Sequence, residues 1–339
     1  MKKALLTGAV LGMFMLSAVV RAETVLRFAE YGPDKGPRAQ ALHWFADELA
    51  KRSDGRLKMQ INFGGSLIKA KGVLKGVASG IGDLGTIVGV YTPTELLNFR
   101  VGDTPSGNDN TWVGVRAAYQ LATENATVQA EFAKQKVVYL ANFTTSTVIL
   151  ACRTPVASLA DLKGLKIRSN PPHSEVFREY GASIVNLPFP EVYPALDKGI
   201  VDCPQAYWSS VMAYRLHEVA KHITALKWSQ NLGFGVVMNK RRFDSLPAAD
   251  RDLLVQLGSE LTDHNAKETI AAVDRVKVAV AKDASVTVHE LGAQDQAALI
   301  AAGLKQADAF AGDKGVLADY MNAVRRFEGE RQSKGYPWK

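Results

Sequence analysis

Between residues 24 and 90 the apolar side chains switch back and forth between two spacings, and this alternation limits the fold more than any other feature of the chain. Thr24 to Glu30 places apolar residues at every second position and runs into Gly32-Pro33, which predicts a strand ending at a loop. Ala39 to Lys51 then carries Ala39, Leu42, Phe45, Ala46 and Leu49 on one helical face, with Gly55 as a stop. Leu57 to Phe63 reads as a second strand, Ile68 to Gly80 as a second helix and Leu84 to Val90 as a third strand. A β-α-β-α-β order predicts an α/β lobe with a largely parallel sheet. Ligands of such sheets collect beyond the carboxyl ends of the strands, so Glu30, Tyr31, Val88 and Tyr91 become cleft candidates.

A second series follows. Trp112 to Gln135 is mostly helical and Val137 to Phe143 is a strand; then come strand Val148 to Arg153, helix Leu159 to Leu162, strand Lys166 to Arg168 and helix Ser174 to Tyr180. Strand Ser183 to Asn186, helix Phe189 to Lys198 and strand Ile200 to Cys203 complete it. Gly233 to Met238 reads as a strand returning to the first lobe, and Ala248 to Lys282 as a helix about 50 Å long, at ~1.5 Å per residue, able to brace both lobes. The expected division is lobe I over 23–150 plus about 232–275, lobe II over 151–231 plus about 276–325, and a tail over 326–339.

Residues 1–22 have the pattern of a secretory signal: Lys2 and Lys3, an apolar stretch from Ala4 to Val19, and the small-residue site Val20-Arg21-Ala22. Cleavage near Ala22 implies a periplasmic mature chain that starts at Glu23. Loss of Lys2, Lys3 and Arg21 lowers the formal charge from +7 to +4, and the remaining charges are scattered, which argues against a nucleic-acid partner. The two cysteines, Cys152 and Cys203, are free to pair in an oxidising compartment; the alternative is a pair of buried thiols packing as small hydrophobes.

Signatures of catalysis are missing. His217 and His222 are five positions apart, which on a helix turns them ~140° from each other, so they cannot share a metal and read as solvated helix residues. The chain has no GxSxG elbow, P-loop or CxxC, and Gly80-Ile81-Gly82 lacks the third glycine of a dinucleotide loop. Arg168, at the end of Lys166-Ile167-Arg168-Ser169, stands out instead. A planar guanidinium holds a carboxylate through two charge-assisted hydrogen bonds, whereas the plain alternative is a surface salt bridge.

Several segments together resemble the solute-binding proteins of tripartite ATP-independent periplasmic (TRAP) transporters. They are Asp161-Leu162-Lys163-Gly164-Leu165-Lys166-Ile167-Arg168, Gly181-Ala182-Ser183, Pro188-Phe189 with Glu191-Val192-Tyr193, and Ala195-Leu196 before Gly199-Ile200-Val201-Asp202. Asp54-Gly55-Arg56-Leu57, Gly64-Gly65-Ser66-Leu67 and Gly80-Ile81-Gly82-Asp83 fit as well. The resemblance implies an α/β, two-lobed periplasmic-binding-protein fold with a ligand cleft between the lobes and a long bracing helix. It also implies a non-catalytic receptor without a cofactor that captures a small carboxylate and passes it to membrane permease subunits; a monomer is the default, with helix-rich Leu291 to Phe327 open as a lobe cap or a dimer surface. Arg168 would clamp the carboxylate, Arg153 add a second basic contact, Phe189 lie against the ligand body and Tyr31 offer a polar contact. The chain departs from the family pattern after Asp202, where Ala206 stands in place of a ligand-touching asparagine. Tyr207, Trp208 and Trp228, with Tyr31, Tyr91 and Phe189, would then form an aromatic cage favouring a less hydroxylated acid, the alternative for Tyr207 and Trp208 being packing in the lobe core. Glu30 and Gln205 complete the candidate ligand set. A sensor subunit or an enzyme on the same fold stays open at this point.

Overall fold

The computed structural model describes residues 23–338; the expected signal segment lies outside them. The chain builds one sheet, crosses, builds a second and returns. The first passage gives β1 (Thr24–Ala29), α1 (Gly36–Arg52), β2 (Leu57–Asn62), α2 (Val73–Ser79), β3 (Leu84–Val88), α3 (Thr111–Glu124), α4 (Ala126–Lys134) and β4 (Val137–Asn142). The second gives β5 (Thr147–Cys152), β6 (Lys166–Arg168), α5 (His173–Glu179), β7 (Ser183–Val185), α6 (Val192–Asp197), β8 (Cys203–Tyr207), α7 (Ser210–Ala213) and β9 (His222–Gln230). The return gives β10 (Phe234–Asn239), α8 (Lys240–Asp244), α9 (Ala248–Lys282), β11 (Thr287–Glu290), α10 (Ala293–Phe310) and α11 (Lys314–Lys334).

The sheets have the orders β2-β1-β3-β10-β4 and β11-β9-β5-β8-β6-β7. The first is less parallel than expected: β1 runs parallel to β2 and β3, but β10 is antiparallel to both β3 and β4. The cause is connectivity, because β10 enters from the other lobe and runs against its neighbours. Each sheet has its own apolar core, one including Phe28, Phe45 and Met238, the other Ile149, Ile167 and Trp228. Helix α9 serves both, with Leu257 and Leu261 in the first core and Val276 and Val280 in the second. It lies against β4 at Gly258, where an added Cβ would stand 2.1 Å from the Leu140 carbonyl oxygen. Glycine is therefore a packing requirement there, not a helix break.

Three expectations need correction. The apolar pair Ile200-Val201 is not the strand: Gly199 turns with φ +68° and the N–H groups of Ile200 and Val201 both point to the Ala195 carbonyl, closing α6, so β8 starts at Cys203. His217 and His222 are not on one helix, since His217 sits in a 3-10 turn and His222 opens β9. The C-terminal part does not stay with the second lobe. Leu299 of α10 joins the second core, but Val316, Tyr320 and Phe327 of α11 join the first, Phe327 meeting Trp112 edge-on at 5.7 Å. Residues 326–334 thus continue a docked helix instead of forming a tail.

Cys152 and Cys203 are bonded to each other. The antiparallel register that pairs Val148 with Tyr207 and Leu150 with Gln205 lays these two cysteines opposite each other when it is extended by two residues. Among the described residues, no helix is long and apolar enough to cross a membrane.

Candidate functional site

The lobes meet over a cleft with about 720 Å³ of empty space, its open mouth included. Arg168 reaches it from the end of β6. Alternation along that strand puts Ile167 into the core and Lys166 into solvent, while the Arg168 side chain, 1% exposed, turns to the cleft. Its Nε donates to the Leu187 carbonyl at 2.9 Å and its guanidinium sits 5.4 Å from the centre of the Phe189 ring. Its Nη1 is buried without a partner. A buried guanidinium N–H is costly when unsatisfied, so this atom marks where an acceptor belongs. Asn170 follows two residues on, lines the same cleft and keeps a buried, unpartnered Oδ1.

Pro188 and Pro190 flank Phe189 and fix its entry into a 3-10 turn. Its ring packs on Tyr207 at 5.5 Å and edge-on against Tyr214 at 4.8 Å. From the first lobe, Tyr31 beyond the end of β1 meets Tyr91 edge-on at 6.3 Å, and Phe234 of β10 lines the same wall. Six rings thus line the cleft, beside the uncharged polar side chains of Thr144, Thr145, Ser209, Ser210 and Asn231. Burial raises the Tyr31 and Tyr207 hydroxyls well above the usual phenol range, against the opposing charges of Arg38 and Arg168 respectively, so both stay protonated.

Glu30 is built in behind the wall and does not line the cleft. It is 1% exposed; its Oε1 accepts from the Gly32 N–H at 2.6 Å and Arg38 Nη2 at 2.9 Å, and its Oε2 accepts from Thr86 Oγ1 at 2.7 Å. Arg38, not among the residues expected from the sequence, lines the cleft and lies over the rings of Tyr31 and Phe234 at 4.9 and 5.1 Å. It also donates to the Tyr214 hydroxyl of the second lobe at 3.3 Å. Burial is the largest influence and works against its charge, but the Glu30 carboxylate together with the Tyr31 and Tyr214 hydroxyls outweighs it, and its pKa is raised.

Of the other residues expected at the site, Tyr31, Tyr91, Phe189 and Tyr207 line the cleft with Arg168, and four do not. Arg153 is exposed at the far end of β5, a strand's length from the crossing at 142–147. Gln205 is fully buried behind the wall, its Oε1 accepting from Ser169 Oγ at 2.5 Å and its Nε2 donating to Asn231 Oδ1 at 3.2 Å. Trp208 packs in the second core under Lys277, and Trp228 is fully buried against His173 and Phe177. The aromatic cage thus holds Tyr214 and Phe234 in place of the two tryptophans. Signals for the missed residues were present: Asn170 is in phase with Arg168 on an extended chain, and Arg38 follows Gly36-Pro37 just beyond the first strand end.

Asp103 holds a crossing segment behind the cleft. It is fully buried, and its Oδ1 accepts the N–H groups of Leu232 and Gly233 at 2.8 and 2.9 Å. Burial pushes its carboxyl up to about 7, although those N–H groups and Arg100 pull the other way. Among the described residues, no group of three or more His, Cys, Asp or Glu side chains is placed to hold a metal ion.

The family model described as bacterial extracellular solute-binding protein, family 7, matches residues 28–313. The chain belongs to that family. Its members are solute receptors, not enzymes, and this chain is a TRAP-type solute-binding protein. It is 29% identical over 222 residues to a solute-binding protein of Albidiferax ferrireducens, an alignment spanning 64% of each chain. It is 27% identical over 301 residues to the C4-dicarboxylate-binding periplasmic protein DctP of Rhodobacter capsulatus, 86% of this chain and 88% of that one. A TRAP periplasmic solute-binding protein from Desulfovibrio salexigens, solved as an open complex, superposes with a TM-score of 0.76 at 24% identity, covering 91% of this chain and 98% of that one. That likeness establishes the two-lobed fold.

Proposed function

We propose that this TRAP-type receptor captures a small organic acid in the interlobe cleft, clamps its carboxylate with Arg168 and delivers it to a membrane permease. The observation that carries the reading is the Arg168 guanidinium, buried at the cleft with Nη1 unpartnered and no carboxylate within ion-pair distance among the described residues. The dicarboxylate bound by the Rhodobacter relative supports an acid as the ligand class. Ligand binding drives closure to the extent that the closed form binds more tightly than the open one. After cleavage near Ala22 the receptor works in the periplasm.

A thermal-shift screen of the purified protein, freed of carried-over ligand by unfolding and refolding, tests the reading against carboxylates of varied length and hydroxylation. An acid at 100 times its Kd raises stability by ~2.7 kcal/mol, a visible shift in Tm. In Arg168→Ala that shift disappears, because the loss of one partner from a buried charged pair costs ~3–5 kcal/mol, at least a hundredfold in affinity. Full affinity in a folded Arg168→Ala protein, or stabilisation by uncharged sugars alone, contradicts the clamp.

A further inference from the structure

The Arg168 clamp leaves open which acid the cleft selects, and three features of its lining narrow the class. The first is charge. Two arginines and one lysine line the cleft, but Lys35 is exposed at its mouth and Arg38 is already neutralised by Glu30 at 2.9 Å. Among the described lining residues, Arg168 is therefore the one buried cation without an acidic partner. A second ligand carboxylate would lie among aromatic rings and the uncharged polar groups of Thr144, Thr145, Ser209, Ser210 and Asn231, and would lose hydration without a counter-charge, which is unfavourable.

The second feature is Asn170. It is 3% exposed, and its buried Oδ1 has no donor. Its backbone carbonyl is used by the Ser174 N–H at 3.0 Å, so the orphan atom belongs to the side chain alone. Arg168 and Asn170 lie two residues apart at the end of β6, and both reach the cleft while Ser169 between them turns away to Gln205. An acceptor beside a carboxylate clamp is satisfied by a ligand that carries an O–H or N–H next to its carboxylate. The third feature is shape: Phe189, Tyr207, Tyr214, Tyr31, Tyr91 and Phe234 present ring faces and edges, which suit a flat or apolar body.

Resting on the acid-receptor reading above, we infer that the ligand is a monocarboxylate with a hydrogen-bond donor on the carbon next to its carboxylate and an apolar body. Arg168 Nη1 holds the carboxylate, Asn170 Oδ1 accepts from the 2-hydroxyl or 2-amide N–H, and Arg38 takes no part in charge recognition. A site that hydrogen-bonds a substrate hydroxyl rejects the analogue without it, because its own polar atom is then left unpaired.

The test is calorimetric titration of the refolded protein with matched probes: 3-phenyllactate against 3-phenylpropionate, lactate against propionate, and malate against succinate, each also with Asn170→Ala. The expected result is that the hydroxy form of a monocarboxylate binds at least tenfold more tightly than its deoxy partner. That ratio falls to near one in Asn170→Ala, and the dicarboxylates bind at least tenfold more weakly than the better monocarboxylate. Equal affinity for hydroxy and deoxy forms, a hydroxyl preference that survives in Asn170→Ala, or a preference for malate or succinate each overturns the inference while leaving an acid receptor in place. Failure of all six acids while another carboxylate stabilises the protein in the thermal-shift screen also overturns the inference, whereas absence of any carboxylate hit in that screen overturns the acid-receptor reading itself, so the two failures are distinct. Circular dichroism of Asn170→Ala establishes that it is folded; if it is not, Asn170→Leu, close to it in volume, replaces it and the same ratios are read.

Discussion

The hydroxyl of Tyr91, from the first lobe, accepts the backbone N–H of Phe189, from the second, at 2.9 Å. Like the Arg38 to Tyr214 contact, this hydrogen bond ties the two lobes directly across the cleft, and it does so at the ring that lies against Arg168. In an opened form both groups return to water, so the bond counts only toward closure. Tyr91→Phe is expected to leave the melting of the unliganded protein almost unchanged while weakening ligand binding about fivefold, the equivalent of ~1 kcal/mol for one lost neutral hydrogen bond. Small-angle scattering with saturating ligand should show a larger open fraction than in the unaltered protein. Unchanged affinity and scattering would mean that the bond does not bias closure.

The Glu30–Arg38 pair sets how many cations the cleft offers. Glu30→Gln keeps the size of the side chain but leaves Arg38 without its counter-charge. Separating a buried pair costs ~3–5 kcal/mol, and the lower end applies because the Arg38 side chain is 19% exposed. The variant should therefore melt earlier and, with a second uncompensated cation, bind succinate more tightly than the parent does. A titration in which succinate affinity stays flat would show that Arg38 cannot reach a ligand even when released.

The Cys152–Cys203 bond closes a loop with a sequence separation of 51. Constraint of the unfolded chain by a loop of that size corresponds to ~4 kcal/mol. Both sulfur positions are fully buried between β5 and β8 in the second core. The double variant Cys152→Ser, Cys203→Ser should lose about that much stability in urea titrations, and reductant should lower the parent's midpoint but not the variant's. Identical midpoints for parent and variant would show that the bond contributes nothing beyond packing.

Legibility in the sequence followed burial pattern. The bracing helix was readable to both ends, because 35 residues of helical periodicity survive one internal glycine. Strand β9 was not, because seven of its nine residues are buried and a strand covered on both faces shows no alternation. At the site, Arg168, Phe189, Tyr31, Tyr91 and Tyr207 were placed by strand ends and family likeness, and all five line the cleft. The tryptophans were misplaced because an indole next to a site residue in sequence is as well suited to a core. Glu30 was misread for a related reason: a carboxylate at a strand end looks like a ligand contact until its partners, Gly32, Thr86 and Arg38, are seen. The role of Arg38 depended on the same pair and was legible only in three dimensions.

Two buried titratable groups oppose each other in pH. Asp103 has a folded pKa of about 7, raised by burial from an unfolded value near 4, so its stabilising contribution is complete below pH ~4 and is lost as pH rises through 7. His173 is fully buried, with its Nε2 2.6 Å from Ser229 Oγ, and burial pushes its pKa down to about 3 from an unfolded value near 6.5. Its contribution is present above pH ~6.5 and is lost as pH falls toward 3. Between pH ~4 and ~6.5 the two slopes have opposite sign and similar size, ~1.4 kcal/mol per pH unit each, so they nearly cancel in the parent protein. Asp103→Asn removes one of them and preserves an oxygen for the Leu232 and Gly233 N–H groups. Urea titrations of the variant at pH 4.5, 5.5 and 6.5 should then show stability falling with acid at up to ~1.4 kcal/mol per pH unit relative to the parent. Parallel stability profiles for parent and variant across that window would rule out a raised Asp103 pKa and, with it, the view that a protonated carboxyl holds the crossing at 232–233 under mildly acidic conditions.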